Sequence, residues 1–183
     1  MKTNSRRNLT TTTEPKLLAN IGLCDPKSPT NVGAVMRAVN CFQADEVYYT
    51  GERYDRAARY YTDTQNTESK IYVSEVNCVL DEVVEGVSVV CVELAEGATP
   101  LSEFDHPDKA YYIFGPEDGT ISQDIIDRAD SVVYVPTVGC LNLAATVNIV
   151  LYDRLVKTNA NVASDELIKG SRNQNNLLVV SPK

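Results

Sequence analysis

Three short segments of this chain carry residue types whose spacing could do chemistry. In Asn31-Val32-Gly33-Ala34-Val35-Met36-Arg37, Gly33 and Arg37 lie four residues apart and share a helical face, with Asn31 at the helix start. Gly33 lets another backbone approach closely, and Arg37 offers a permanent cation for phosphate or a developing anion. Phe114-Gly115-Pro116-Glu117-Asp118-Gly119 follows an apolar run. Gly115 exposes backbone where a strand ends, and Glu117 could reach hydroxyls or a cation. The third segment runs from Val135 and Pro136 through Cys140 and Leu141 to Asn142. Leu141 could wall an apolar slot, and Asn142 offers both a donor and an acceptor at a helix N-terminus. Taken singly, each has a plain structural reading: a capped helix with a surface arginine, an acidic turn, an asparagine N-cap. No segment has the GxxxxGK[ST] pattern of a phosphate cradle, and the acids of the second would repel phosphate.

The elements that position these segments follow from apolar periodicity. Residues 17–24, 45–50, 70–73, 87–94, 110–114 and 132–135 read as strands. Helix patterns start near Thr30 or Asn31 and run to Phe42, cover 76–84 and 122–128, and run from about Asn142 to Lys157. The last carries an apolar stripe at Leu143, Val147, Val150, Leu151 and Leu155. Residues 53–61 read as a basic, aromatic helix. Strands that alternate with helices predict an α/β fold, a mostly parallel sheet with helices on both faces. The expected organisation is a disordered tail over 1–15, one domain over 16–158 and a polar C-terminal extension over 159–183.

Composition narrows the function. Apolar residues make up 43% of the chain, enough for a sizeable core. No run is long enough to span a membrane. The five scattered cysteines lack the close spacing of a metal or redox site, so no metal is expected, and without a secretory signal they fit free thiols in the cytoplasm. A net charge of -8 argues against broad nucleic-acid binding, so any RNA contact needs a local basic patch. Arg53, Arg56 and Arg59, interleaved with Tyr54, Tyr60 and Tyr61, supply one: the spacing puts the arginines on one helical face. A solvated face paired with Glu52 and Asp55 is the ordinary alternative. The single histidine, His106, reads as part of a surface DHPD loop.

In this order, the N-x-G-x-x-x-R helix start, the FGPEDG turn and the VP…CLNLA segment resemble the three signature motifs of the SpoU/TrmH family, the RNA ribose 2′-O-methyltransferases of the SPOUT class. The resemblance covers about residues 17–157, and VELAEGATPL resembles the segment the family places before its cofactor pocket. It implies a deep trefoil knot within roughly 87–157, holding S-adenosylmethionine against Leu94, Gly115, Val135, Cys140 and Leu141. It implies transfer of methyl to a ribose 2′-hydroxyl of RNA, without a metal. Arg37 takes the activating role, with Asn31, Glu117 and Asn142 orienting the ribose, the arginine and the substrate phosphate. Because arginine stays protonated, stabilising the developing alkoxide suits Arg37 better than base catalysis. The resemblance further implies a homodimer, with Arg37 reaching the partner's pocket and the helix at 142–157 carrying part of the interface. The chain resembles the minimal family members, which slightly favours tRNA over ribosomal RNA as substrate. One departure stands out: Cys140 occupies a position where the family usually has serine. That change and the acidic charge motivate the alternative of a catalytically weak, knotted RNA-binding or assembly protein.

Overall fold

The computed structural model describes residues 17–53, 72–158 and 163–181. Among these, the β-branched and aromatic runs form a seven-stranded parallel sheet: β1 (Leu18–Leu23), β2 (Glu46–Tyr49), β3 (Tyr72–Glu75), β4 (Ser88–Val92), β5 (Thr99–Pro100), β6 (Lys109–Phe114) and β7 (Ser131–Tyr134). Their order across the sheet is β3-β2-β1-β6-β4-β7-β5. Strands buried on both faces must be apolar throughout, which is why β4 and β6 read as near-continuous apolar runs. Helices α1 (Pro29–Cys41) and α3 (Leu143–Lys157) pack on one face, where Val35, Val39, Val147 and Val150 meet Ile21, Val90 and Tyr112. The other face is covered by a 3-10 turn at Val79–Glu82 and by the short α2 (Gln123–Asp127), through Val79, Leu80, Ile125 and Ile126.

The strand order matters most on the β4 side. Val133 of β7 pairs with Val92 of β4 on one flank and with Thr99 of β5 on the other. Residues 93–98 therefore bridge β4 and β5 across the end of β7, a strand made later in the chain. The C-terminal ends of β4, β6 and β7 lie side by side at this crossover, the position at which parallel sheets bind ligands.

Several expectations need correction. The helix pattern at 76–84 yields only the four-residue 3-10 turn: Val76, Val79, Val83 and Val84 are β-branched, and within the turn only Val79 and Leu80 are buried. The strand expected at 87–94 ends at Val92, which leaves Glu93 and Leu94 beyond it, facing the crossover. Ser28, not Asn31, caps α1; its side chain accepts from the Asn31 N–H. In the extension, α4 (Asp165–Ser171) forms where a polar stretch alone was expected. Its signal was the Ser164 cap with Asp165 and Glu166 in the first turn. The candidate helix at 53–61 lies outside the described residues beyond Arg53.

His106 overturns its reading as a surface residue. Its side chain is 0% exposed, with Nδ1 2.6 Å from the Tyr112 hydroxyl and Nε2 2.9 Å from Asp153 Oδ2. Local sequence is polar there, but α3 covers the loop from 47 residues away.

Candidate active site

The ends of β4, β6 and β7 enclose a cleft of about 390 Å³, within the range of small-molecule sites. Three loops build it. Glu93 and Leu94 come from the end of β4, Gly115 to Glu117 from the end of β6, and Tyr134 to Asn142 from the end of β7. Asn31 of α1 and Thr146 of α3 complete the rim. Each loop starts where a buried strand stops, so rigid parallel strands fix where the loops begin.

Gly115 is glycine for reasons of space. A Cβ there would lie 3.0 Å from Glu93 Oε2 and 3.2 Å from the Ile121 nitrogen. Any side chain would crowd the Glu93 carboxylate and the Ile121 backbone. Leu94, 57% exposed, Leu141 and the half-buried Val135 give the cleft apolar walls. The loop from Pro136 to Leu141 is exposed throughout and is closed by the Thr137 hydroxyl, which donates to the Gly139 carbonyl at 2.6 Å. Cys140 lies on that exposed loop and lines the cleft. Cys24 and Cys91 differ: burial pushes each thiol up to about 12, so both stay protonated.

Glu117 joins the second segment to the first. Its carboxylate accepts the Lys27 N–H at 2.8 Å, the Ser28 N–H at 2.9 Å and the Asn31 side-chain amide at 3.1 Å. Partial burial pushes its pKa up, but the hydrogen bonds from Ser28, Asn31 and Lys27 outweigh it and hold the carboxyl below the ordinary carboxylate range. Glu117 is thus an ionised clamp at the positive end of α1, and poorly suited to take a proton.

Asn142 caps α3: its Oδ1 accepts the Ala145 N–H at 2.7 Å. Its amide NH2 has no partner among the described residues, and the side chain lines the cleft. The cap and ligand readings of Asn142 are compatible, since one uses the oxygen and the other the nitrogen.

Arg37 stands apart. It is exposed, does not line the cleft, and makes no hydrogen bond or ion pair with any described residue. Arg53 is engaged: its Nη1 and Nη2 donate to Asp118 at 3.1 Å, and its Nε lies 2.9 Å from Asp25. These partners come from the loops after β1 and β6, while Asp55, offered with Glu52 in the ordinary alternative, lies outside the described residues. Arg56 and Arg59 lie outside the described residues. Sequence reasoning missed Glu93, whose Oε1 accepts the Leu94 N–H at 2.9 Å and whose Oε2 accepts the Ile121 N–H at 3.0 Å. The available signal was an acid placed directly after a core strand.

No curated protein matches the chain. Among solved structures, it is similar to an rRNA methyltransferase from Sinorhizobium meliloti, with a TM-score of 0.68 and 21% identity over 77% of this chain and 56% of that one. It is similar to the SpoU methyltransferase AviRb from Streptomyces viridochromogenes in complex with AdoMet, with a TM-score of 0.67 and 18% identity over 84% of this chain and 63% of that one. A third is a structure reported for the 2-OH methylation of C/U34 on tRNA, with a TM-score of 0.63 and 19% identity over 79% of this chain and 99% of that one. At these identities the likeness shows the fold, and the chain spans little more than half the length of the Sinorhizobium protein. The family model is more direct, matching residues 19–152, a stretch that holds all three loops of the cleft. The chain belongs to the SpoU rRNA methylase family.

Proposed function

We propose that the protein transfers a methyl group from S-adenosylmethionine to a ribose 2′-hydroxyl of RNA. The observation that carries this reading is the cleft at the crossover of β4, β6 and β7, where the three signature segments meet. Its residues suit the cofactor. Gly115 keeps its backbone free of a side chain where the cleft begins, Leu94, Val135 and Leu141 offer apolar walls, and the loop backbone offers donors and acceptors for an adenine edge. Cys140 is the fifth contact in this reading. The trefoil knot belongs to it too, supported by the seating of β7 between β4 and β5.

When bound, the cofactor supplies an electrophilic methyl on a sulfonium. The chain's own residues do the rest. Glu117 fixes the start of α1 against the β6 loop and aims Asn31 at the cleft rim. The free amide of Asn142 orients the ribose. A hydroxyl becomes a competent nucleophile only as its proton leaves, and a fixed cation stabilises the oxyanion that develops. Arg37 plays that part while gripping the adjacent phosphate. The family resemblance has Arg37 serve the cleft of a second copy in a homodimer, which its place outside its own cleft supports, across an interface that would include the exposed Ile149, Tyr152 and Val156 of α3.

For the RNA itself, the proposed grip is Arg53, Arg56 and Arg59. Arg53 would exchange Asp118 and Asp25 for phosphate. A tRNA substrate is slightly favoured, supported by the near-complete coverage of the structure reported for tRNA methylation. A cytoplasmic location fits the free cysteines. Labelled methyl transfer to tRNA and ribosomal RNA pools, followed by nucleoside analysis, tests the reading. A 2′-O-methyl nucleoside is expected, with Arg37→Ala abolishing transfer while cofactor binding persists. Absence of that product from every pool, despite cofactor binding, would favour the alternative of a catalytically weak RNA-binding protein. The exposure of Cys140 on the cleft loop is the observation behind that alternative.

A further inference from the structure

We propose that Glu93 makes the cleft a charge filter, favouring the cationic methyl donor over the neutral thioether left after transfer. The inference rests on the cofactor reading above. Among the described residues two carboxylates line the cleft, Glu93 and Glu117, and no lysine, arginine or histidine does. The two acids are not equivalent. Glu117 sits at the positive end of α1 and accepts from three donors. The Glu93 acceptors are met only by two neutral loop amides, those of Leu94 and Ile121, and it makes no ion pair with any described residue. Lys27 and Arg53, on the loops after β1 and β2, pair with other acids, Lys27 with Asp118 at 2.8 Å and Arg53 with Asp118 and Asp25. Glu93 lines the cleft beside Gly115, its Oε2 lying 3.0 Å from the position a Cβ on Gly115 would take.

A carboxylate in this position has a structural job, tying the β4 end to the loop before α2. A glutamine could do that job without charge, because its amide oxygen also accepts N–H bonds. What the charge adds is a negative potential in a part-screened concavity. S-adenosylmethionine carries one more positive charge than S-adenosylhomocysteine, at the sulfur. The field therefore discriminates between them at the one atom that changes in the reaction. Loss of the methyl removes the attraction and favours release of the spent cofactor.

Calorimetric titration of the full chain with S-adenosylmethionine, S-adenosylhomocysteine and sinefungin tests this without reference to turnover. Sinefungin replaces the sulfonium with a protonated amine and so keeps the charge. Both cationic ligands should bind about tenfold tighter than S-adenosylhomocysteine, the scale of one part-screened charge pair. Added salt should narrow the gap by weakening the cationic ligands. Glu93→Gln should reduce it to within about twofold, with S-adenosylhomocysteine affinity little changed. Equal affinities in the wild type, or a full gap retained in Glu93→Gln, would overturn the proposal. If Glu93→Gln fails to fold, the wild-type salt series decides. Failure of all three ligands to bind would instead remove the cofactor reading on which the proposal stands.

Discussion

The two ends of the sheet solve opposite problems, and one helix serves both. At the N-terminal ends of β1 and β6, Arg154 of α3 is buried to 5% exposure, and both its Nη groups are used twice. Its guanidinium donates to the carbonyls of Leu18, Pro107 and Asp108 and to the Tyr112 hydroxyl. Lys157 donates to the carbonyls of Leu101 and Phe104 and pairs with Asp153 at 2.8 Å. His106 closes the set between Tyr112 and Asp153. The opposite end holds the cleft, where the Asn142 side-chain NH2 has no partner among the described residues and the loop before it is exposed. A buried charge must be saturated with partners to be tolerated, whereas a binding site must keep some of its valences open. Helix α3 is bolted at its C-terminal end and presents its N-terminal end to the cleft. This arrangement anchors an exposed loop to a rigid element.

The comparison breaks first at Arg154. Arg154→Met strips partners from three carbonyls and a hydroxyl, and about 3–5 kcal/mol of stability should be lost in denaturant unfolding. A loss under about 1 kcal/mol would mean that the clamp is not what holds α3. Gly115→Ala tests the open end. Its Cβ must displace Glu93 or the Ile121 backbone, so S-adenosylmethionine affinity should fall at least about tenfold with only a modest stability change. Unfolding on the scale of Arg154→Met would erase the division between the two ends. Asn142→Ala should cost about 1 kcal/mol as a lost cap and weaken transfer well beyond that. An effect on stability alone would reduce Asn142 to a cap.

Acid sharpens the same contrast with the smallest effect. Burial lowers the His106 pKa below its ordinary value of 6.5, and the field of Arg154 and Lys157 adds to this against the opposing pull of Asp153. The geometry agrees. With Nε2–H donating to Asp153, Nδ1 accepts from the Tyr112 hydroxyl, whose oxygen also receives Arg154. On acidification the unfolded chain takes up this proton first. His106 therefore contributes fully above about pH 6.5, and that contribution declines as pH falls toward the lowered native value. Glu117 is lowered from 4.5, so its contribution fades only at more acid pH. Melting across pH should show the closed end weakening first, and His106→Gln should remove the upper transition. Its survival in that variant would reassign it.

Much of this was legible in the chain. Apolar runs of the right length marked β1, β4, β6 and β7, because a strand covered on both faces has no polar side to disguise it. The three chemical segments each followed such a run or opened a helix, and the family resemblance they carry, not the periodicity, pointed to Leu94, Gly115, Val135, Cys140 and Leu141, which the structure brings to one cleft. The sequence also marked α3, but it placed Leu155 in the buried stripe and gave no reason to bury Arg154. Local pattern assigns an arginine to solvent. Only the backbone carbonyls that β1 and the loop before β6 bring to that spot make its burial tolerable. His106 was misread for the same reason: its partners are Tyr112 and Asp153, one strand and one helix away. Glu93 looked like a strand residue until the sheet ended one position earlier.

The sequence by itself determined six of the seven strands, helices α1, α2 and α3 and the three segments that meet at the cleft, because these depend on local periodicity and residue type; the two-residue β5 and the short α4 it did not mark. The tertiary structure alone decided which charges are satisfied. Arg154 and His106 find partners from distant strands and close one end of the sheet, while Glu93 finds only neutral amides at the other. A charge's partners are set by where the chain returns in space, and no local pattern records that return.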